Sequence, residues 1–467
     1  MTLTQTGTRG FRAYTAKHLD DLLRRAHLDA ETRLRVRAVA AVLPFRTNPY
    51  VVDELIDWSD IPDDPIYRLV FPQEDMLPAG DVSRIAGLLR ADAPREELQA
   101  AVRAVRVRLN PHPAGQMDLN MPKIGGEPAP GMQHKYPETV LFFPKQGQTC
   151  HAYCTYCFRW AQFVGEPDLK MASDDARSLV RYLREHPEVT SVLFTGGDPM
   201  IMSAGVLRRY VEPLLALEQL ESIRIGTKSL AYWPGRFVTD PDAADTLRLF
   251  SSVAESGRNL AFMAHFSHPR ELASDLVQAA VRAIMDTGAV IRTQAPLIRT
   301  INDDPGTWAE MWRGQHGLGM VPYYMFVERD TGPQDYFAVP LARAHEIFRD
   351  AYAGVSGLCR TVRGPSMSST PGKVCVDGVA EVAGLPVFVL HLIQARDPEL
   401  VGRPFFAHYD PEAVWLNELR PAFADRFPFE AAALDGADGT GRRPEGAPAG
   451  SGLRTDGEGL GSNERAG

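Results

Sequence analysis

Cysteine is scarce in this 467-residue chain: Cys150, Cys154, Cys157, Cys359 and Cys375 are all it has. A disulfide framework would need more cysteines in a shorter, secreted chain, so that class is excluded. No apolar run approaches the ~20 residues a spanning helix needs, which argues against a membrane protein. The opening stretch MTLTQTGTRGF has no apolar core, so no secretory leader is expected and the default location is cytoplasmic. An excess of basic charge is also missing. The net charge is −9, which offers no footprint for nucleic acid or an anionic membrane. Aromatic residues stop at Phe429, and ten glycines fall between 431 and 467. Residues 429–467 therefore cannot bury enough surface to offset their ordering entropy and are expected to be disordered.

What is present suits a large globular enzyme. The apolar fraction is 44%, and the length allows a barrel-sized core with additions. Residues 1–125 read as an N-terminal helical region. TAKHLDDLLRRAHL, ETRLRVRAVAAVL and PREELQAAVRAVRVRL carry apolar residues at helical spacing, the last stopping before Asn110-Pro111. Between them, NPYVVDELIDWSDIPDDPIYRLVFP is rich in proline and turns and is expected to run extended over a surface. From 126 to 354 short apolar runs alternate with helical patterns. TVLFF, TSVLFTGG, ESIRIGT, NLAFMAHF, AVIRTQA and MVPYYMF read as six strands in β/α repeats. Such repeats imply parallel strands joined by crossovers, hence an α/β fold with a partial (β/α)6 barrel. Residues 355–428 form a C-terminal extension of mixed pattern.

Sites in such sheets form at the C-terminal ends of strands. The cysteine cluster, Gly196-Gly197-Asp198, Lys228 and His265 all fall there. CHAYCTYCF spaces its cysteines C-x3-C-x2-C, so three thiolates can hold three irons of a [4Fe–4S] cluster and leave the fourth open. S-adenosylmethionine can chelate an open iron, and one electron from the cluster then yields a 5′-deoxyadenosyl radical. Tyr156 stands where an aromatic ring can lie against adenine, and the Gly196-Gly197 turn can hold the cofactor's amino group. A zinc knuckle would need four closed ligands. His265 and His268 read as hydrogen-bonded structural groups, and Cys359 and Cys375 as buried thiols.

Over roughly residues 12 to 390 the chain resembles the lysine 2,3-aminomutase family of radical S-adenosylmethionine enzymes. PGMQHKYPETVLFF, CHAYCTYCFRW, VLFTGGDPM, IRIGTKS, MAHFSHPRE, TQAPLIRTIND, VPYYMF and TPGKV follow in order. The resemblance implies pyridoxal 5′-phosphate held as a Schiff base by Lys373, with Lys135, Tyr136 and Gln294 around that cofactor. It implies that Arg159 grips the substrate α-carboxylate, a task suited to a guanidinium.

The departures are informative. The family's second arginine near HKYP is Thr139 here, an asparagine before Gln294 is Thr293, and the family's C-terminal zinc-binding cysteines are absent. Two aspartates that pair with the distal ammonium of lysine correspond to Arg329 and Ser366, and a cation there would repel lysine. The expected activity is amino-acid 2,3-aminomutation, moving nitrogen from Cα to Cβ of a small amino acid with an acidic or neutral side chain. Alternatives are a lysine 2,3-aminomutase, a pyridoxal-independent enzyme of the same fold such as an epimerase, and a non-catalytic iron–sulfur protein. An electron donor such as flavodoxin or ferredoxin is the expected partner, and a homo-oligomer is left open.

Overall fold

The computed structural model describes residues 10–430. The chain divides into a unit ending at Asp425 and a second unit beginning at Arg426. Most of the expected disordered tail lies outside the described residues.

An eleven-stranded sheet, whose strand order follows the chain without a break, is the frame of the first unit. Its strands are β1 (Met132–Tyr136), β2 (Thr139–Phe142), β3 (Ser191–Phe194), β4 (Ser222–Thr227), β5 (Asn259–His265) and β6 (Val290–Leu297). They continue as β7 (Val321–Val327), β8 (Arg363–Ser368), β9 (Gly372–Val382), β10 (Leu385–Ala395) and β11 (Pro404–His408). β2 to β8 are parallel, so the six expected strands are joined by a seventh. Helices Ala176–Glu185, Ala204–Val211, Ala243–Glu255, Asp275–Met285, Pro305–Gly317 and Leu341–Ala353 supply the six crossovers. Their starts are written locally: Asp175, Ser274 and Asp304 each accept hydrogen bonds from backbone N–H groups of the first turn. Helix Pro305–Gly317 was not apparent from its sequence. It buries Trp308, Met311 and Trp312 on one face despite three glycines in its length.

The segment after Asn48 departs from expectation. It does not run over a surface but forms a π-helix, Val51–Leu55, and an α-helix, Pro65–Val70. Tyr50, Val51, Val52, Leu55, Tyr67, Leu69 and Phe71 are all buried. The physical reason is Asp64. Its buried carboxylate caps Tyr67 N, accepts from Asp57 N and pairs with Arg270, so the acidic stretch folds inward.

The C-terminal extension continues the sheet with reversed direction, β9 to β11 running antiparallel. β9 and β10 turn at Ala383-Gly384, both at positive φ (52° and 77°). The ends of the sheet then approach each other without pairing as strands, and side chains close the seam. Lys135 of β1 donates to Ser369 O, Gln394 of β10 donates to Glu138 Oε1 at 2.8 Å, and Arg396 donates to Asn120. Among the described residues no helix is long and apolar enough to cross a membrane.

Candidate active site

A cavity of about 400 Å³ opens where the parallel strands end. Every site residue expected from the sequence lines it: the three cysteines, Tyr156, Gly196, Gly197, Asp198, Lys228, His265, Gln294, Lys135, Tyr136, Arg159, Arg329 and Lys373.

At one end lies the cysteine loop. The N-terminal region holds it: Tyr153 N donates to Arg46 O, Thr155 N to Leu69 O (both 2.9 Å), and Asn48 Nδ2 to His151 O. Burial raises the pKa of all three thiols, Cys157 to about 12, and neighbouring thiols push Cys150 and Cys157 further. A metal must therefore displace their protons. Their sulfurs do not converge as the ligands of one ion would. Among the described residues, Cys375, Asp377 and His391 are the set that brings three ligand atoms within 4.8 Å of one another. Cys150, Cys154 and Cys157 can each take a different iron of a cluster.

The Gly-Gly turn packs tightly on this loop. A Cβ at Gly196 would overlap the Gln148 side chain, one at Gly197 would overlap Thr149, and Gly196 has φ +138°. Asp198 lines the cavity, yet its carboxylate is used internally. It accepts from Thr227 Oγ1 (2.7 Å), Met200 N (2.9 Å), Lys228 N (2.9 Å) and Ser229 Oγ (3.0 Å), which locks the end of β3 to that of β4. Lys228 pairs with buried Glu271 at 2.7 Å and stands over Tyr232. Gln294 Nε2 donates to His265 Nε2 at 2.6 Å. Burial, with Lys228 and Arg159 nearby, lowers the His265 pKa to about 3, so this imidazole is neutral. His268 Nδ1 accepts from Arg270 N in a local cap.

Lys373 closes the other end, at the seam. Its Nζ donates to Gln394 Oε1 at 3.1 Å and lies 4.1 Å from the centre of the Tyr324 ring. Burial first, then Arg224 and Arg363, lowers its pKa to about 7. An amine that sheds its proton this readily is suited to attack an aldehyde. Arg224 and Arg363 also line the cavity and were not apparent from the sequence. Arg224 donates to Thr139 Oγ1 at 3.2 Å, so a guanidinium stands beside the position where the resemblance led to an arginine. Among the described residues its Nε has no hydrogen-bond partner. Lys135 is lowered to about 6 by burial and by Arg329, Arg396 and Lys373. This crowd of cations around an aromatic wall fits an anionic, planar cofactor.

Two further guanidinium groups share the Phe158 ring, Arg159 at 4.8 Å and Arg329 at 5.2 Å from its centre. Arg159 is buried and Arg329 half-buried, and among the described residues Arg159 has no carboxylate in ion-pair range. Among the described residues the nearest carboxylate to Arg329 is Asp330, at 3.7 Å, and neither Arg329 Nε nor Asp330 Oδ1 has a hydrogen-bond partner. Glu328 lines the cavity beside them, and burial drives its pKa well above the ordinary range. Ser366 does not line the cavity. It is buried in β8 and donates to Met325 O.

A partial parallel barrel with three thiols in the loop after its first parallel strand defines the chain as a radical S-adenosylmethionine enzyme. Known proteins narrow this. The chain is 31% identical over 409 residues to a "Putative L-lysine 2,3-aminomutase" of Aquifex aeolicus, covering 88% of this chain and 96% of that one. It is 25% identical to the L-lysine 2,3-aminomutase of Escherichia coli over 77% of this chain and 91% of that one. With the L-lysine 2,3-aminomutase of Clostridium subterminale it shares 27% identity over 50% of this chain and 53% of that one. The chain belongs to the lysine 2,3-aminomutase family, and it is an isomerase of the radical S-adenosylmethionine type. No protein-family model matches it. Among solved structures it is similar to a radical S-adenosylmethionine methyltransferase from Sphaerobacter thermophilus, at TM-score 0.35 and 18% identity, covering 51% of this chain and 68% of that one.

Proposed function

We propose that the enzyme is a pyridoxal phosphate-dependent amino-acid 2,3-aminomutase acting on a substrate with an acidic or neutral side chain. The observation that carries this reading is that Lys373, from the reversed end of the sheet, lines the same cavity as the three cysteines. When bound, the cluster with S-adenosylmethionine supplies a hydrogen-abstracting radical, and pyridoxal phosphate a conjugated carrier for the migrating nitrogen.

The chain's own residues do the rest. Cys150, Cys154 and Cys157 hold the cluster as thiolates. The Gly196-Gly197 turn, Tyr156, Lys228 and neutral His265 with Gln294 surround S-adenosylmethionine, while Asp198 fixes the turn. Lys373 offers its amine for attachment, and Lys135 and Tyr136 receive the pyridoxal cofactor. Arg159 binds the substrate α-carboxylate, and Arg329 faces the distal group. A reductant such as flavodoxin or ferredoxin and a cytoplasmic setting belong to this proposal.

A second reading, lysine as substrate, is favoured by the names of the relatives and by Glu328, a cavity carboxyl that could meet an ammonium. The test is anaerobic incubation of reduced enzyme with a panel of amino acids, followed by mass spectrometry for β-amino isomers. β-Glutamate or β-aspartate isomers support the first reading, and β-lysine supports the second. Isomers from no amino acid in the panel would overturn both.

A further inference from the structure

We propose that Cys375, Asp377 and His391 form a zinc site on the β9–β10 hairpin, separate from the catalytic cavity. The ladder builds it. Cys375 of β9 pairs directly with His391 of β10, and Asp377 follows two residues later at a bulge between Val376 and Gly378. Direct pairing places His391 beside Cys375, and at the bulge Asp377 reaches His391, its Oδ2 2.7 Å from His391 Nδ1. The sulfur, the carboxylate oxygen and the ring nitrogen lie within 4.8 Å of one another. None of the three residues lines the cavity.

The donor set selects the metal. A thiolate, an imidazole and a carboxylate suit zinc, whereas calcium and magnesium prefer oxygen alone. Thiolate and carboxylate together would neutralise a dication. With bonds of about 2.0–2.3 Å, neighbouring ligand atoms of a tetrahedral zinc stand about 3.3–3.8 Å apart. His391 Nδ1 and Asp377 Oδ2 now lie 2.7 Å apart, hydrogen-bonded, so that contact opens by about 0.6 Å on binding. Cys375 is buried, His391 half-buried and Asp377 exposed, so an ion enters from the Asp377 side and water completes its shell.

The site is read in full-length enzyme reconstituted with its iron–sulfur cluster, exposed to micromolar zinc and then desalted. Zinc is counted by plasma mass spectrometry, and its ligands are read by X-ray absorption at the zinc edge. We expect about one zinc per chain with one sulfur and two or three nitrogen or oxygen neighbours. Zinc should fall at least tenfold in Cys375→Ala and His391→Ala, with iron content unchanged. Because Cys375 is buried and its replacement could unfold the hairpin, Asp377→Asn at the exposed position is the second variant; it should weaken zinc retention without lowering Tm in the zinc-free state. The proposal is overturned if the wild type keeps no zinc. It is equally overturned if zinc survives in folded Cys375→Ala or is not weakened in Asp377→Asn. A three-sulfur shell would place the ion at the cluster cysteines and would also overturn it.

Discussion

Replacing Arg329 with Gln should change which amino acids the enzyme accepts. The guanidinium lies half-buried against Phe158 and Trp415, and among the described residues its nearest counter-charge, Asp330, lies 3.7 Å from Nε without a hydrogen bond. Glu328 does little to neutralise it, because burial favours the protonated carboxyl. A distal carboxylate of the substrate would gain a charge-assisted hydrogen bond worth about 1.5–3 kcal/mol. Losing it should lower kcat/KM for glutamate or aspartate by about 10- to 150-fold. For lysine the sign reverses. Two cations 4 Å apart repel by ~4 kcal/mol at an effective dielectric near 20, and Asp330 offsets part of that. Arg329→Gln should therefore raise lysine turnover while lowering that of acidic substrates. The assay follows β-amino products from each amino acid under anaerobic, reducing conditions. Efficient conversion of lysine by the wild type, with a substrate ratio unmoved by Arg329→Gln, would refute the reasoning.

Further expectations follow from the two ends of the cavity. Anaerobic reconstitution of Cys154→Ala should yield no intact four-iron cluster, and a full complement of iron and sulfide would count against the assignment. Borohydride reduction of the cofactor-supplied enzyme should leave a pyridoxyl group on Lys373 in the peptide map; labelling elsewhere alone, or none, would favour a pyridoxal-independent enzyme. Lys135 is held down to about 6 by burial and by neighbouring cations, whereas the unfolded chain keeps the ordinary value near 10.4. Between those values the unfolded state binds more protons, so this residue makes stability rise with pH. The increase in Tm from pH 6.5 to 8.5 should therefore be smaller in Lys135→Met; parallel curves would show that the residue titrates normally.

Legibility in the sequence followed the range of the interactions. The parallel strands could be read because each is a short apolar run ended by a turn, and the crossover helices because most keep a 3.6-residue apolar stripe. Helix Pro305–Gly317 escaped because Gly306, Gly314 and Gly317 dilute its stripe, although Trp308 and Trp312 bury it. The segment after Asn48 was misread because its prolines and turn residues suggest an extended run. Asp64 is instead satisfied by Arg270, some two hundred residues away. β9 and β10 were hidden by their turn, since Ala383 is not a residue type that announces a positive φ. The site residues carried by motifs all line one cavity. Arg224, Arg363 and Glu328 were missed because nothing local marks a charged residue in a strand, or at its end, as facing inward.

The seam explains how one sheet can serve two kinds of chemistry. Parallel strands gather their C-terminal ends on one side, and that places the cysteine loop and the Gly-Gly turn together. A further parallel unit after β8 would close the barrel with backbone hydrogen bonds and leave no polar side chains at the join. Reversing direction at β9 instead brings a hairpin back across the opening, so Gln394 links Lys373 to Glu138, just past HKYP, through side chains. At this seam the hydrogen bonds Lys135–Ser369, Gln394–Glu138 and Arg396–Asn120, all donated by side chains, stand where the rest of the sheet has backbone pairing.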